Sequence, residues 1–152
     1  MNEKLELTLY ADSDGYITYE CPYCGSAFKL NAGDLNDDTF PIAELFCPYC
    51  GLTADASQFI SSEATEALET MAHNYVAELL NKEFGKMTRD INRKHGIIRM
   101  DYKPITKLPE KDVRDKDTVE SIFTCKTCQR GVKIVQSIGL AKAFCPFCGV
   151  DL

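Results

Sequence analysis

The stretch Leu45-Phe46-Cys47-Pro48-Tyr49-Cys50-Gly51-Leu52 decides how this chain folds. A C-x-x-C pair puts two sulfurs on one tight turn. Proline after the first cysteine fixes φ, and glycine after the second takes the positive φ that the turn needs. The amide N–H groups freed in such a turn point at the sulfurs. Near-copies stand at Cys21-Pro22-Tyr23-Cys24-Gly25 and Cys145-Pro146-Phe147-Cys148-Gly149, and a fourth pair is Cys125-Lys126-Thr127-Cys128. All eight cysteines belong to these four pairs, two towards each end of the chain. The flanks repeat as well: Glu44 to Gly51 matches Lys142 to Gly149, so one unit is used twice.

Each unit reads as strand, knuckle, strand, loop, strand, knuckle. In the first, Tyr16 to Glu20 enters, Ala27 to Leu30 leaves and Ile42 to Phe46 returns; Val119 to Thr124, Val132 to Gln136 and Ala141 to Phe144 are their counterparts. Leu5 to Tyr10 alternates apolar and polar residues and is expected to form a hairpin with Tyr16 to Glu20 across Asp12-Ser13-Asp14-Gly15. Between the units a helix is expected from an N-cap at Ser61 or Ser62 to about Lys94, with Gly96 as its C-cap. Leu68, Met71, Tyr75, Leu79, Leu80, Phe84, Met87 and Ile91 define its apolar face. Such a helix spans roughly 50 Å at 1.5 Å per residue, so it either breaks near Gly85 and folds back or buries its stripe against another chain. Pro104 to Lys116 mixes two prolines with both charges and reads as a linker.

Composition narrows the class. No apolar run approaches the roughly 18 residues of a membrane span, and the N-terminus lacks the basic start and apolar core of a signal peptide. The expected location is the cytoplasm, where thiols stay reduced and eight cysteines read as metal ligands. The formal charge of −6 is unevenly spread. Residues 1–56 hold ten acids against Lys4 and Lys29, whereas residues 121–152 hold Asp151 against Lys126, Arg130, Lys133 and Lys142. Nucleic-acid contact, where it occurs, is therefore expected in the C-terminal half.

Two knuckles on neighbouring strands place four sulfurs around one ion. Cys21, Cys24, Cys47 and Cys50 are the expected ligands of one Zn²⁺, and Cys125, Cys128, Cys145 and Cys148 of a second. Sequential pairing closes loops of 22 and 16 residues; interleaving would close loops of about 100 at an extra cost of only about 1–2 kcal/mol per site. The repeated strand pattern is the better argument for sequential sites. Phe46 and Phe144 are expected to lie over the sites and keep them dry. A unit this small buries little apolar surface, and structural zinc supplies on the order of 10–16 kcal/mol.

The arrangement resembles the zinc-ribbon family over about residues 16–56 and 119–152. It departs from that pattern at Cys125-Lys126-Thr127-Cys128-Gln129-Arg130, where the knuckle lacks proline and glycine, and a looser, more exposed pair is expected there. The resemblance implies an α+β chain with a ribbon at each end. The expected divisions are 1–58, a hairpin plus the first ribbon; 59–96, the central helical segment; 97–118, a strand-like stretch and charged linker; and 119–152, the second ribbon.

Three functional readings follow. The favoured one is a non-enzymatic adaptor with two structural Cys₄ zinc ions, an accessory subunit of a prokaryotic complex that handles nucleic acid. Its partner is a protein, or a second copy reached through the central helix, and no membrane or small-molecule substrate is expected. The second is direct DNA or RNA binding through Lys86, Arg89, Arg93 and Lys94, with Arg130 and Lys133 beside the irregular knuckle. The third is an iron electron carrier similar to rubredoxin, which also uses Cys₄. Cys-Pro-Tyr-Cys is also the glutaredoxin dithiol, but that chemistry needs a helix starting at the pair, and no helical pattern follows Cys24 or Cys50. Asp12-Ser13-Asp14-Gly15 reads as a turn, Asp34, Asp37 and Asp38 as a solvated loop, and His73 and His95 as surface groups. If the sites are sequential, Cys47→Ser is expected to unfold the first ribbon and leave the second intact.

Overall fold

A computed structural model describes residues 5–39, 41–94, 96–135 and 142–152. The strand ends expected at Gln136 and Ala141, and His95, lie outside the described residues. The chain forms two compact units, one of Met1–Leu7 with Glu66–Lys111 and the other of Thr8–Thr65 with Asp112–Leu152. Both cysteine repeats belong to the second unit, where separate end domains were expected.

That unit begins with β1 (Leu9–Tyr10), β2 (Tyr16–Glu20) and β3 (Ala27–Asn31), followed by a one-turn helix α1 (Ala32–Leu35). It continues through β4 (Glu44–Phe46), β5 (Thr53–Asp55) and a 3₁₀ turn at Ala56–Phe59 into α2 (Ser62–Lys94). The chain returns as β6 (Val113–Arg114), β7 (Ser121–Thr124) and β8 (Gly131–Ile134). The two cysteine repeats share one antiparallel sheet in the order β2-β3-β8-β7, joined where Lys29 faces Lys133 and Leu30 faces Val132. The β4–β5 pairing of Phe46 with Thr53 is repeated at the second ribbon by a bridge between Phe144 and Asp151.

Lys29 and Lys133 occupy the same place in the repeat, 104 residues apart. So do Ser13 and Asp117, which meet through hydrogen bonds of 2.9 and 2.7 Å from the Ser13 amide and hydroxyl to one Asp117 oxygen. The same offset pairs Leu9 with Val113 and Tyr10 with Arg114, where β1 and β6 run in parallel. A pseudo-twofold axis therefore relates the ribbons, and the repeat starts at β1, well before its first cysteine.

This explains why the expected hairpin is not made. The Asp12–Gly15 turn forms, with the Gly15 N–H donating to Asp12 O at 3.0 Å and Gly15 at φ 84. Beyond it, however, β1 pairs with its repeat mate β6, and the outward Thr18 N–H on β2 donates to Asp115 Oδ2 at 2.8 Å. The Thr18 hydroxyl also bonds the Asp115 carboxylate. The edge that β1 was expected to cover is thus closed by a side chain.

The core is drawn from both repeats. Phe28, Leu30, Val132 and Ile134 line the sheet and pack with Leu45, Phe59, Cys21 and Cys47. Phe28 and Phe59 meet edge to face with centroids 5.9 Å apart. On the sheet's other face Lys29 and Lys133 are both buried, two like charges directly opposite one another. Buried Asp12 lies between them, its Oδ2 3.2 Å from Lys29 Nζ and 2.8 Å from Lys133 Nζ. Lys133 also reaches Asp14 at 2.7 Å, and Lys29 donates to Lys116 O at 2.6 Å.

From Glu66 onward α2 belongs to the other unit and runs without a break through Gly85, which removes one of the two alternatives, the fold-back. At its start the Ser61 hydroxyl caps the Ala64 N–H at 3.3 Å. The segment read as a linker is not free. Asn74 donates to Leu108 O at 2.9 Å and accepts from Leu108 N at 2.7 Å; Asn81 does the same for Ile105, both at 2.8 Å. Asn92 holds Met100 at 3.0 and 2.9 Å. The spacing is matched: seven and eleven helical residues rise about 10 and 16 Å, which three and five extended residues also span. Residues 100–108 are a strap along α2, with Tyr102 stacked on Phe84 at 5.6 Å and its hydroxyl donating to Asn81 at 2.7 Å.

The apolar stripe is consequently only partly covered. Ala67, Asn74 and Ala77 are buried, whereas Leu68, Leu79, Phe84 and Met87 keep 37–43% of their surface exposed. A main-chain strap needs donors and acceptors, so the polar asparagine face carries it. Among the described residues no helix is long and apolar enough to cross a membrane.

Candidate metal centres

Each centre is assembled from two knuckles at the ends of sheet strands. Cys21 and Cys24 lie between β2 and β3, Cys47 and Cys50 between β4 and β5, and Cys125 and Cys128 between β7 and β8; Cys145 and Cys148 follow the Phe144 bridge. After Cys24 the chain enters the expected strand, and after Cys50 it enters β5 rather than a helix. Every knuckle closes on a hydrogen bond to its first cysteine's carbonyl, from the N–H of Gly25, Gly51, Gln129 or Gly149, at 2.8–2.9 Å. The three glycines take φ between 69 and 73.

Gln129 adopts φ 62 in glycine's place and ties its side-chain amide to Lys126 O at 2.9 Å. The irregular knuckle is therefore not the looser one. Cys125 is buried and Cys128 half-buried, whereas Cys24 is exposed.

The sulfurs gather as two sets, Cys21, Cys24, Cys47 and Cys50, and Cys125, Cys128, Cys145 and Cys148, with all ligand atoms of a set within 4.8 Å of one another. The sequential pairing is thus the one formed. Cys21 and Cys50 sulfurs are 3.7 Å apart, as are those of Cys24 and Cys47; the corresponding separations in the second set are both 3.6 Å. Disulfide sulfurs would lie about 2.05 Å apart. A tetrahedron of sulfurs about 2.3 Å from a central ion has edges of about 3.8 Å, close to these four separations between knuckles. The N–H groups of Tyr23 and Tyr49 point at Cys21 and Cys47 sulfurs, each at 3.4 Å.

The electrostatics call for a cation. Burial pushes the Cys47 and Cys145 thiols well above the ordinary range, and neighbouring thiols add to this. Burial also acts on Cys24 and Cys125, but hydrogen bonds outweigh it and hold both at about 6: from Ser26 to Cys24, and from the Cys128 and Thr127 amides to Cys125. Four thiolates so close repel one another, and a divalent ion relieves that repulsion.

Phe46 and Phe144 do not cover their own knuckles. A Cβ on Gly149 would fall 3.0 Å from the Phe46 ring, and one on Gly51 would fall 3.1 Å from the Phe144 ring. Each ring lies on the glycine of the other ribbon. The Phe46 N–H donates to Pro146 O at 2.8 Å, and the Phe144 N–H to Pro48 O at 2.9 Å.

The basic residues separate into two groups. Lys86, Arg89, Arg93 and Lys94 are exposed on α2, joined at helical spacing by Lys82, which the sequence reading passed over. Lys133 is buried among carboxylates, out of reach of phosphate, and half-buried Arg130 lies over the Phe147 ring at 4.9 Å. His73 is exposed on α2; Asp34 accepts from Gly131 N at 3.2 Å and Asp37 from Thr39 N at 2.9 Å. Compared with known proteins, the chain matches no family model, no curated protein and no solved structure.

Proposed function

We propose that this protein is a non-catalytic, cytoplasmic adaptor of the zinc-ribbon kind, which holds a protein partner within a larger complex. The observation that carries this reading is that all eight cysteines meet as two sets of four, the sulfurs of each set within 4.8 Å of one another, beside a shared core. Ions placed there have all four ligand positions filled by protein, the closed arrangement of structural sites rather than catalytic ones. Thiolate ligands at tetrahedral spacing favour zinc. Exposed Leu68, Val76, Leu79 and Met87 on α2 support a protein partner or a second copy of the chain.

Metal analysis of the purified protein should give two zinc ions per chain; iron or a single ion overturns the zinc reading. Native co-purification after nuclease treatment should recover a stoichiometric protein partner. Recovery of a lone monomer overturns the adaptor.

One observation favours direct nucleic-acid binding as a second reading. Lys82, Lys86, Arg89 and Arg93 are all exposed, at spacings that keep them on one side of α2. That reading expects a mobility shift with DNA or RNA that weakens steeply with salt, and absence of a shift at low salt removes it.

A further inference from the structure

We propose that the two metal sites load as one, passing from empty to doubly filled without a stable one-ion state. The inference rests on the metal reading above and adds a coupling between the ions. Pro48 and Pro146 lie inside their knuckles, between the ligating cysteines. Their carbonyls reach the strand-like entry to the opposite knuckle, Pro146 O accepting from Phe46 N at 2.8 Å and Pro48 O from Phe144 N at 2.9 Å. A knuckle that is not closed around its ion therefore withdraws an acceptor from the residue just before a ligand of the other site, Cys47 or Cys145.

The side chains repeat the exchange. The Phe144 ring needs Gly51 in its knuckle conformation at φ 73, and the Phe46 ring needs Gly149 at φ 72. Tyr49, between the ligands Cys47 and Cys50, accepts from Val135 N at 2.9 Å through its hydroxyl, and the central strands pair at Lys29 with Lys133. The first ion meets the ordering cost of contacts that both sites use. The second ion then binds a chain already ordered, so its affinity rises, and by linkage each site raises the other equally.

Native mass spectrometry of the metal-free full chain, titrated with substoichiometric zinc chloride, tests this. A hundredfold coupling leaves the one-ion species at about a tenth of the chains at the midpoint, against about half for independent sites. We expect chains with no ion and with two to dominate. The double variant Phe46→Ala/Phe144→Ala keeps all eight cysteines and should raise the one-ion fraction towards half. Cys47→Ser should weaken zinc binding at the intact Cys125, Cys128, Cys145 and Cys148 set by about thirtyfold or more. A wild-type chain that takes two ions with a one-ion fraction near half overturns the coupling and leaves the metal reading standing; a chain that takes none, or only one, overturns both. The wild-type distribution decides the matter even if a variant fails to fold.

Discussion

Asp12 is the residue on which the centre of the sheet depends. Its buried carboxylate lies between Lys29 and Lys133, and although burial pushes its pKa up, hydrogen bonds from Lys133, Tyr16 N and Lys29 bring it down to about 2. Asp12→Asn removes that charge and leaves Asp14, on Lys133, as the remaining counter-charge to two buried ammonium groups that face each other. The expected loss is about 3–5 kcal/mol, measurable by urea unfolding of the metal-loaded protein. Because the folded pKa lies below the unfolded value of about 3.9, Asp12 contributes its stability fully above that pH and loses it as pH falls through about 2. Gln129 is the opposite case. It holds φ 62 where three knuckles have glycine, so Gln129→Gly should stabilise the chain by about 0.5–1 kcal/mol, read as a raised unfolding midpoint. The missing glycine marked this knuckle as irregular in the sequence, though it was read as looser and more exposed; the ion cluster was not legible. Lys29 and Lys133 read as surface cations because nothing local in their strands announces that both faces of a central strand are covered.

At the scale of the element, the strap shows how side chains on a helix can order a segment with no secondary structure of its own. Asn81 has three partners in the strap, the Ile105 N–H and C=O and the Tyr102 hydroxyl. Asn81→Ala should weaken local closure by about 2 kcal/mol, roughly a thirtyfold rise in opening. Amide exchange at Ile105 and tryptic cleavage after Lys107 should both accelerate, while circular dichroism shows α2 unchanged. The helix was legible almost to its ends from its cap and periodicity. The strap was not, because prolines and mixed charge carry no period. Its signal lies instead in asparagines seven and eleven residues apart on the helix, which hydrophobic patterning ignores.

For the whole molecule, the repeat and both ligand sets were legible from cysteine spacing together with the repeated strand pattern around it, because four ligands around one ion leave little freedom. That the two ribbons form one unit was not legible. The joining contacts are main-chain hydrogen bonds and glycine–ring packing, and both depend on three-dimensional placement rather than residue type. Metal competes with protons for thiolates, so acidification should release the ions first. The β signal and intrinsic tyrosine fluorescence should change with metal loss at a higher pH than the one near 2 at which Asp12 titrates; coincidence of the two transitions would count against metal as the staple.

The pseudo-twofold axis constrains what the chain's ancestry and engineering can do. Two identical ribbons would place lysine opposite lysine and surround them with identical turns, carrying either both sets of carboxylates or neither. Here the turn of the first repeat holds Asp12 and Asp14, and the matching positions of the second hold Lys116 and Thr118, with the Lys116 carbonyl taking the place of a carboxylate beside Lys29. Joining both repeats in one chain lets symmetry-related positions differ in this way, and two copies of the second repeat alone would place two lysines together with no carboxylate in either turn.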